Sequence, residues 1–311
     1  MSSSAIVKPG AGGVGRKPGS ISKSTLKHWG TAYLFLLPSL IGLVIFRLYP
    51  VVEAFVRSLY RTSFGAGGGE IFVGLANYVD LLHDPIFWQS FKATLWLNLA
   101  INPIQICFAI AAALLVNRTG LAVRIYRTIL MLPMGVSLAI ACTLWGIMLN
   151  PNSGLVNSIL ASLGLPMQPF LTSSSQAMWS IILIASWKGV AYWMIFVLAG
   201  LQEIPEQIYE AAKIDGVSPW QQLRYITLPL LKRAILFVTV ADTTANFLLV
   251  VPMYILTNGG PEMSTNVLMF EAYTSAFVYL DMARALSITS VLLALLLIVV
   301  AIQFKMLKVD Y

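Results

Sequence analysis

Six long stretches of this chain run almost without charge: Thr31 to Tyr49, Phe91 to Val116, Ile125 to Leu149, Ala177 to Leu201, Ala234 to Leu256 and Ala285 to Phe304. A bilayer core of about 30 Å is crossed by roughly 20 apolar residues at about 1.5 Å rise each, so each stretch has the length of a membrane span. Lipid offers the backbone no hydrogen-bond partners, and the spans must therefore be helices. Composition agrees, since 58% of residues are hydrophobic, 11% are charged and the mean hydropathy is +0.79. A soluble domain carries roughly 25% charged residues. The expected fold class is all-α, a polytopic membrane bundle of six transmembrane helices.

Charge orients the bundle. Lys8, Arg16, Lys17, Lys23 and Lys27 precede the first span, Arg118, Arg124 and Arg127 follow the second, and Lys213, Arg224, Lys232 and Arg233 follow the fourth. Lys305 and Lys308 close the chain. By the positive-inside rule both termini and these loops face the cytoplasm. The net charge of +7 thus reads as topology, and no nucleic-acid partner is expected. Residues 1–30 read as a flexible basic tail able to touch anionic lipid, and residues 31–311 as one transmembrane domain.

Several functions find no support in the residues. The run Gly10-Ala-Gly-Gly-Val-Gly15 matches a dinucleotide fingerprint, yet no strand precedes it and the first acidic residue is Glu53. The first span is too long for a cleaved signal and is followed by Arg47, Tyr49 and Pro50, so it reads as a retained anchor. Cys107 and Cys142 fall inside spans, where packing is their ordinary role, and His28 and His83 stand alone. No nucleophile elbow, metal-ligand set or acid–base pair is visible, and the chain is expected to be non-catalytic with no cofactor of its own.

Breakers punctuate the outer loops: Gly65 to Gly69, Asn150 to Gly154 and Thr257 to Pro261. Short amphipathic stretches, Gly74 to Leu82 and Leu155 to Leu163, are expected along the outer surface. The loop of about residues 202–233 is different, being polar and well capped. Pro205 suits a first helical position with Glu206 in the first turn, Gly216 supplies a left-handed stop, and Ser218-Pro-Trp-Gln221 has the pattern of a capping box. A second short helix then runs toward Pro229. The product is a helical elbow whose Ala211 and Ala212 permit close approach, while Trp220, Leu223 and Tyr225 offer bulk to a partner's groove.

These residues resemble the membrane-spanning permease subunit of carbohydrate-type ABC importers, in the class of maltose and glycerol-phosphate systems. Glu210, Ala211, Ala212, Asp215, Gly216, Leu223, Leu228 and Pro229 match its Glu-Ala-Ala signature, with Val217 where alanine is usual and Leu223 where phenylalanine is common. The likeness runs from about Thr31 to the C-terminus, through Arg47 to Pro50, Gly74 to Tyr78, Leu132-Pro133, Leu198 to Gln202 and Thr257 to Pro261. It implies a type I importer permease fold in the bacterial inner membrane. It further implies a second, nonidentical permease subunit, two ATPase subunits that bind ATP and Mg, and an extracytoplasmic solute-binding protein. In such a complex the elbow is the coupling helix that docks on the ATPase.

Polar residues at mid-span are costly and so informative. Lys188 and Tyr192 lie one turn apart on the fourth span, and Asp242 and Asn246 one turn apart on the fifth, at depths that permit one shared cavity. The resemblance places Gly189, Tyr192 and Asn246 at sugar-contacting positions, and Trp187 and Trp193 supply further aromatic faces. Leu249 stands where the maltose-type subunit has asparagine. Lys188 and Asp242 are read either as substrate contacts or as a mutually neutralising pair, and Lys188 as a candidate partner for an acidic solute. Asn98, Asn102, Pro103 and Gln105 on the second span read first as a kinked packing surface against the partner permease, and second as pathway lining. Pro252 suggests a kink in the fifth span. The alternatives are an ion-coupled secondary carrier, with Asp242 and Lys188 as its coupling charges, and a noncatalytic scaffold.

Overall fold

The computed structural model describes residues 23–62 and 69–306, with side chains from residue 33 onward except that of Thr62. Most of the basic tail with its Gly10–Gly15 run, Gly65 to Gly68 and Lys308 lie outside the described residues. The chain divides into two compact units at Glu53 and Ala54. In the first, α1 (Lys23–Leu43) passes through a π turn, Val44–Leu48, into α2 (Tyr49–Arg57). The helical run Tyr33–Arg57 is long and apolar enough to cross a bilayer.

The second unit takes in the end of α2 from Ala54 and continues with a two-stranded antiparallel ribbon, β1 (Tyr60–Thr62) and β2 (Glu70–Phe72), in which Arg61 faces Ile71. The short helix α3 (Ala76–His83) is pinned to it by two residues of the Gly74–Tyr78 stretch. Buried Asn77 donates to the carbonyls of Ser58 and Tyr60 at 2.7 and 3.0 Å, and the Tyr78 hydroxyl meets Ser58 Oγ at 2.6 Å. Then follow α4 (Pro85–Val116), α5 (Leu121–Met131), α6 (Leu138–Met148), α7 (Leu155–Ser162) and α8 (Ala177–Gln202). The elbow comprises α9 (Glu206–Ile214), α10 (Pro219–Gln222), a π turn Leu223–Thr227 and α11 (Leu228–Leu230). Three helices complete the chain: α12 (Lys232–Phe247), α13 (Leu268–Phe277) and α14 (Met282–Met306).

Four helical runs are each long and apolar enough to span a membrane: Tyr33–Arg57, Pro85–Val116, Ala177–Gln202 and Met282–Met306. The other two expected spans are broken. Where one straight helix was expected from Ile125 to Leu149, α5 leads through a 3-10 turn, Leu132–Gly135, into α6 with a bend of 99°. The local chemistry forces this: Pro133 lacks an N–H, and Ser137 adopts extended backbone and caps α6 by accepting from Ile140 N at 3.3 Å. The fifth stretch stops at Phe247, and helical backbone resumes beside Pro252 before a π turn, Met253–Thr257. In the second stretch the expected kink is no interruption, because α4 continues through Pro103 as one helix of 32 residues.

The core is built on α4, α8 and α12, with α4 and α8 packed along each other most extensively. Ala109, Ala112 and Ala113 of α4 meet Met194, Val197 and Leu198 of α8, joined by Val238 of α12. Small residues on one side let the backbones approach, which is how helices gain packing energy where lipid is as apolar as leucine. Nearer the N-terminal end of α4, Leu97 and Ile101 meet Ile181 and Ala185 of α8 and Phe270 of α13. At that same end an ionic knot crosslinks three helices. Arg284 of α14 pairs with Asp84, the N-cap of α4, at 2.5 Å and with Glu271 of α13 at 2.9 Å. Asn266 adds bonds to Ser90 and Glu271.

Candidate functional site

Asn98, Asn102 and Gln105 lie at helical spacing on one face of α4, and that face turns inward, toward Asp242, Thr243 and Asn246 of α12. Asn246 donates to Asn102 Oδ1 at 2.7 Å and to Asp242 Oδ1 at 3.1 Å, and Asn102 donates to Thr243 Oγ1 at 3.1 Å. The Gln105 amide, turned as hydrogen bonding favours, donates to the Asp242 carboxylate. From α8, the Trp193 indole N–H donates to Asp242 Oδ1 at 2.5 Å. Gln303 of α14 reaches Thr243 Oγ1 at 2.7 Å. Asp242 is 1% exposed, so three helices surround a buried carboxylate with indole and amide donors.

The α4 residues therefore serve the interior of this chain, and the expected packing face against another subunit is corrected. Their i, i+4, i+7 spacing was the available signal, and α12 answers it with Asp242, Thr243 and Asn246 in the same register. Gly189 makes the arrangement sterically feasible. A Cβ at Gly189 would stand within 2.9 Å of all three atoms of the Gln105 carboxamide, so glycine is what admits Gln105 between the helices.

Lys188 does not join this cluster. Its Nζ donates to the carbonyls of Met134 at 3.1 Å and Val136 at 2.5 Å, thereby satisfying backbone oxygens freed by the bend before α6. The suggested neutralisation of Asp242 by Lys188 is accordingly corrected. The reason is angular: Gly189 and Trp193, one turn apart, face α4 and α12, whereas Lys188 and Tyr192 are rotated away on α8. Tyr192 is 43% exposed and stacks edge-on with Trp193 at 4.7 Å and near Phe196 at 5.3 Å. Trp187 meets Trp145 at 6.0 Å and lines, with Phe108, Trp179 and Leu183, an apolar cavity of about 810 Å³.

Depth follows from helix rise. Asp242 lies about 15 Å from the start of α12, Trp193 about 14 Å from the end of α8, and Gln105 about 17 Å from the end of α4. The polar cluster thus lies about 14–17 Å along these helices from the ends that join the elbow and the α4–α5 turn.

The elbow follows its sequence closely. Pro205 stands one residue earlier than expected, as the N-cap of α9. Gly216 has φ +74°, a left-handed conformation that reverses the chain, and Val217 N closes on Ala212 O at 3.0 Å. Ser218 and Gln221 form a complete capping box at the start of α10, with Pro219 in its first turn. Ala212 is buried and Leu223 half-buried, while Glu210, Ala211, Asp215, Gly216 and Pro229 are exposed. Trp220 and Tyr225 are each 70% exposed.

Residues 105–307 match the family described as "Binding-protein-dependent transport system inner membrane component". The chain belongs to this family. An sn-glycerol-3-phosphate transport system permease protein, UgpA, of Yersinia enterocolitica is 34% identical over 88% of this chain and 92% of its own length. A Pyrococcus horikoshii protein described as a probable ABC transporter permease is 37% identical, covering 86% of this chain and 92% of that one. Among solved structures, a chain of the bacterial alginate ABC transporter in complex with its pentasaccharide-bound periplasmic protein superposes with a TM-score of 0.79 at 22% identity. That match covers 93% of this chain and 98% of the other, and it shows a shared permease fold. The matched residues include Gln105, Trp193, Asp242 and Asn246 of the polar cluster and the whole elbow.

Proposed function

We propose that this chain forms half of the translocation pathway of an importer for a sugar, polyol or sugar derivative, and that the elbow couples this pathway to ATP hydrolysis on a separate ATPase. In the working assembly the bent α5–α6 pair and the interrupted α12 segment complete six crossings, with both termini in the cytoplasm. Residues 31–311 act as one permease domain and residues 1–30 as its basic tail. A second permease subunit supplies the other half of the pathway, two ATPase subunits bind ATP and Mg, and an extracytoplasmic binding protein delivers the solute.

The observation that carries the reading is the elbow itself, in a chain of this family. Trp220 and Tyr225 stand exposed on a segment made rigid by a left-handed turn and a capping box. A rigid, capped segment transmits displacement, whereas a frayed loop absorbs it. Glu210, Ala211, Ala212, Asp215, Gly216, Leu223 and Pro229 form the docking element. When the ATPase closes on ATP, displacement of this element biases α8 and α12, to which its two ends are joined, between inward-open and outward-open arrangements.

The pathway side uses Gly189, Trp193, Asp242 and Asn246 as its polar floor, with Tyr192 as the adjoining aromatic face. Amides and a carboxylate suit hydroxyl groups, and an indole or phenol ring suits the apolar face of a pyranose. Lys188, occupied with backbone carbonyls, acts as a brace for the α5–α6 bend. The relative named for sn-glycerol-3-phosphate transport supports a polyol-type solute.

Copurification tests the assembly. Solubilised in mild detergent, the tagged chain is expected to retain an ATPase and a second permease. Isolation of the chain alone, with uptake driven by an ion gradient, would contradict the reading and support a secondary carrier.

A further inference from the structure

Beside the elbow, a cleft of about 850 Å³ opens between the α4–α5 turn and α9. Arg118, Arg124, Arg127 and Lys213 line it, against a single carboxylate from Glu206. No ion pair is formed by any of these four cations among the described residues. The Arg127 guanidinium donates one bond, Nη2 to the Val116 carbonyl at 2.8 Å, and its Nε is buried without a partner. Meanwhile the N-terminus of α5, an 11-residue helix, opens on the same cleft. Gly120 precedes it with no side-chain cap, and its first turn contains no acidic residue. Four cations without an ion pair among the described residues and the positive end of a helix thus converge on one space large enough for a tetrahedral anion and its substituents.

We infer that this cleft binds a phosphate-type anion, either the headgroup of an anionic phospholipid or a free phosphate. The cleft lies on the face that the basic loops assign to the cytoplasm, where anionic lipid and phosphate are both at hand. An anion there neutralises the cluster and bridges Arg124 and Arg127 of α5 to Lys213 of α9. Occupancy therefore ties the α4–α5 turn to the elbow, and removal of the anion releases the elbow from it. Neither the substrate cluster nor the capping box contributes a residue to the cleft.

The test is a binding measurement on the purified full-length chain with whatever subunits accompany it, and it does not depend on transport. Two arms separate the sources: native mass spectrometry after exchange into nanodiscs of phosphatidylglycerol or phosphatidylcholine, and titration of inorganic phosphate against a phosphatidylcholine-only sample at constant ionic strength. Retained phosphatidylglycerol identifies the lipid source, and saturable phosphate binding identifies the free anion. Each basic residue near a membrane surface contributes a roughly five-fold gain in anion binding, so Arg124→Gln and Arg127→Gln are each expected to weaken it by about that factor. Arg118→Gln, at an exposed turn outside any helix, provides a variant that leaves the fold undisturbed and is expected to weaken it similarly. Equal retention of both lipids with no phosphate binding, or full binding by all three variants, would overturn the inference.

Discussion

Two residues, Trp193 and Gly189, hold the central cluster in register. Trp193→Phe keeps the ring and removes the indole N–H, leaving a buried carboxylate short of one charge-assisted bond. A loss of about 1–3 kcal/mol is expected, read as a lowered thermal midpoint of the detergent-solubilised protein, together with weaker uptake. An unchanged midpoint would show that Asp242 finds another donor. Gly189→Ala places a methyl group against the Gln105 amide, and a comparable loss is expected. The double variant Gly189→Ala/Gln105→Ala should recover part of it, because the shortened side chain vacates the space. Additive losses would mean that the clash lies elsewhere. At this scale the sequence announced the costly polar residues but not their pairing. Asp242, Asn246 and Gly189 stood out from Lys188 only once the helices had a rotational phase, which depends on packing partners distant in the chain. Asn102 and Gln105, read first as a contact for another subunit, carried the same ambiguity. A polar face in lipid demands a partner without saying which chain supplies it.

Helices and turns were more legible than the contacts between them, because their signals are local. Pro205, Gly216 and the Ser218–Gln221 box predict the elbow to within a residue, since caps and left-handed turns depend on neighbours a few positions away. The 99° bend before α6 was less so, although Leu132-Pro133 and Ser137 contained its chemistry. An apolar window of span length hides a break when hydropathy alone is weighed. The bend gives Lys188 its role, and Lys188→Met is expected to strip two carbonyls of their donor while leaving the Asp242 cluster intact. The predicted result is faster amide exchange through Met134–Val136 and wild-type binding of solute. Loss of solute binding without a change at the bend would return Lys188 to the pathway. Ser218→Ala, which removes the capping oxygen of α10, should cost about 1 kcal/mol locally and loosen the elbow. Increased amide exchange over Pro219–Thr227 would register it, and exchange identical to wild type would show that the box is dispensable.

For the whole molecule, the buried polar cluster and the rigid, capped elbow are joined through α8 and α12, the helices on which both are built. The ionic knot of Arg284, Asp84 and Glu271 ties α14, α4 and α13 at the opposite end of the bundle, so a stroke arriving at the elbow moves α8 and α12 against helices held together at their far ends. This knot was not legible beforehand, because its members come from three separate elements with no common spacing. The most direct measurement is ATP-driven solute uptake in proteoliposomes containing the complete transporter with Gly216→Val. Valine is strained at φ +74° by about 1–3 kcal/mol, which displaces the elbow without touching the polar cluster. The expected result is an assembled complex that binds solute and hydrolyses ATP yet moves little or none of it. Uptake at the wild-type rate, still dependent on ATP, would contradict the elbow's role in coupling.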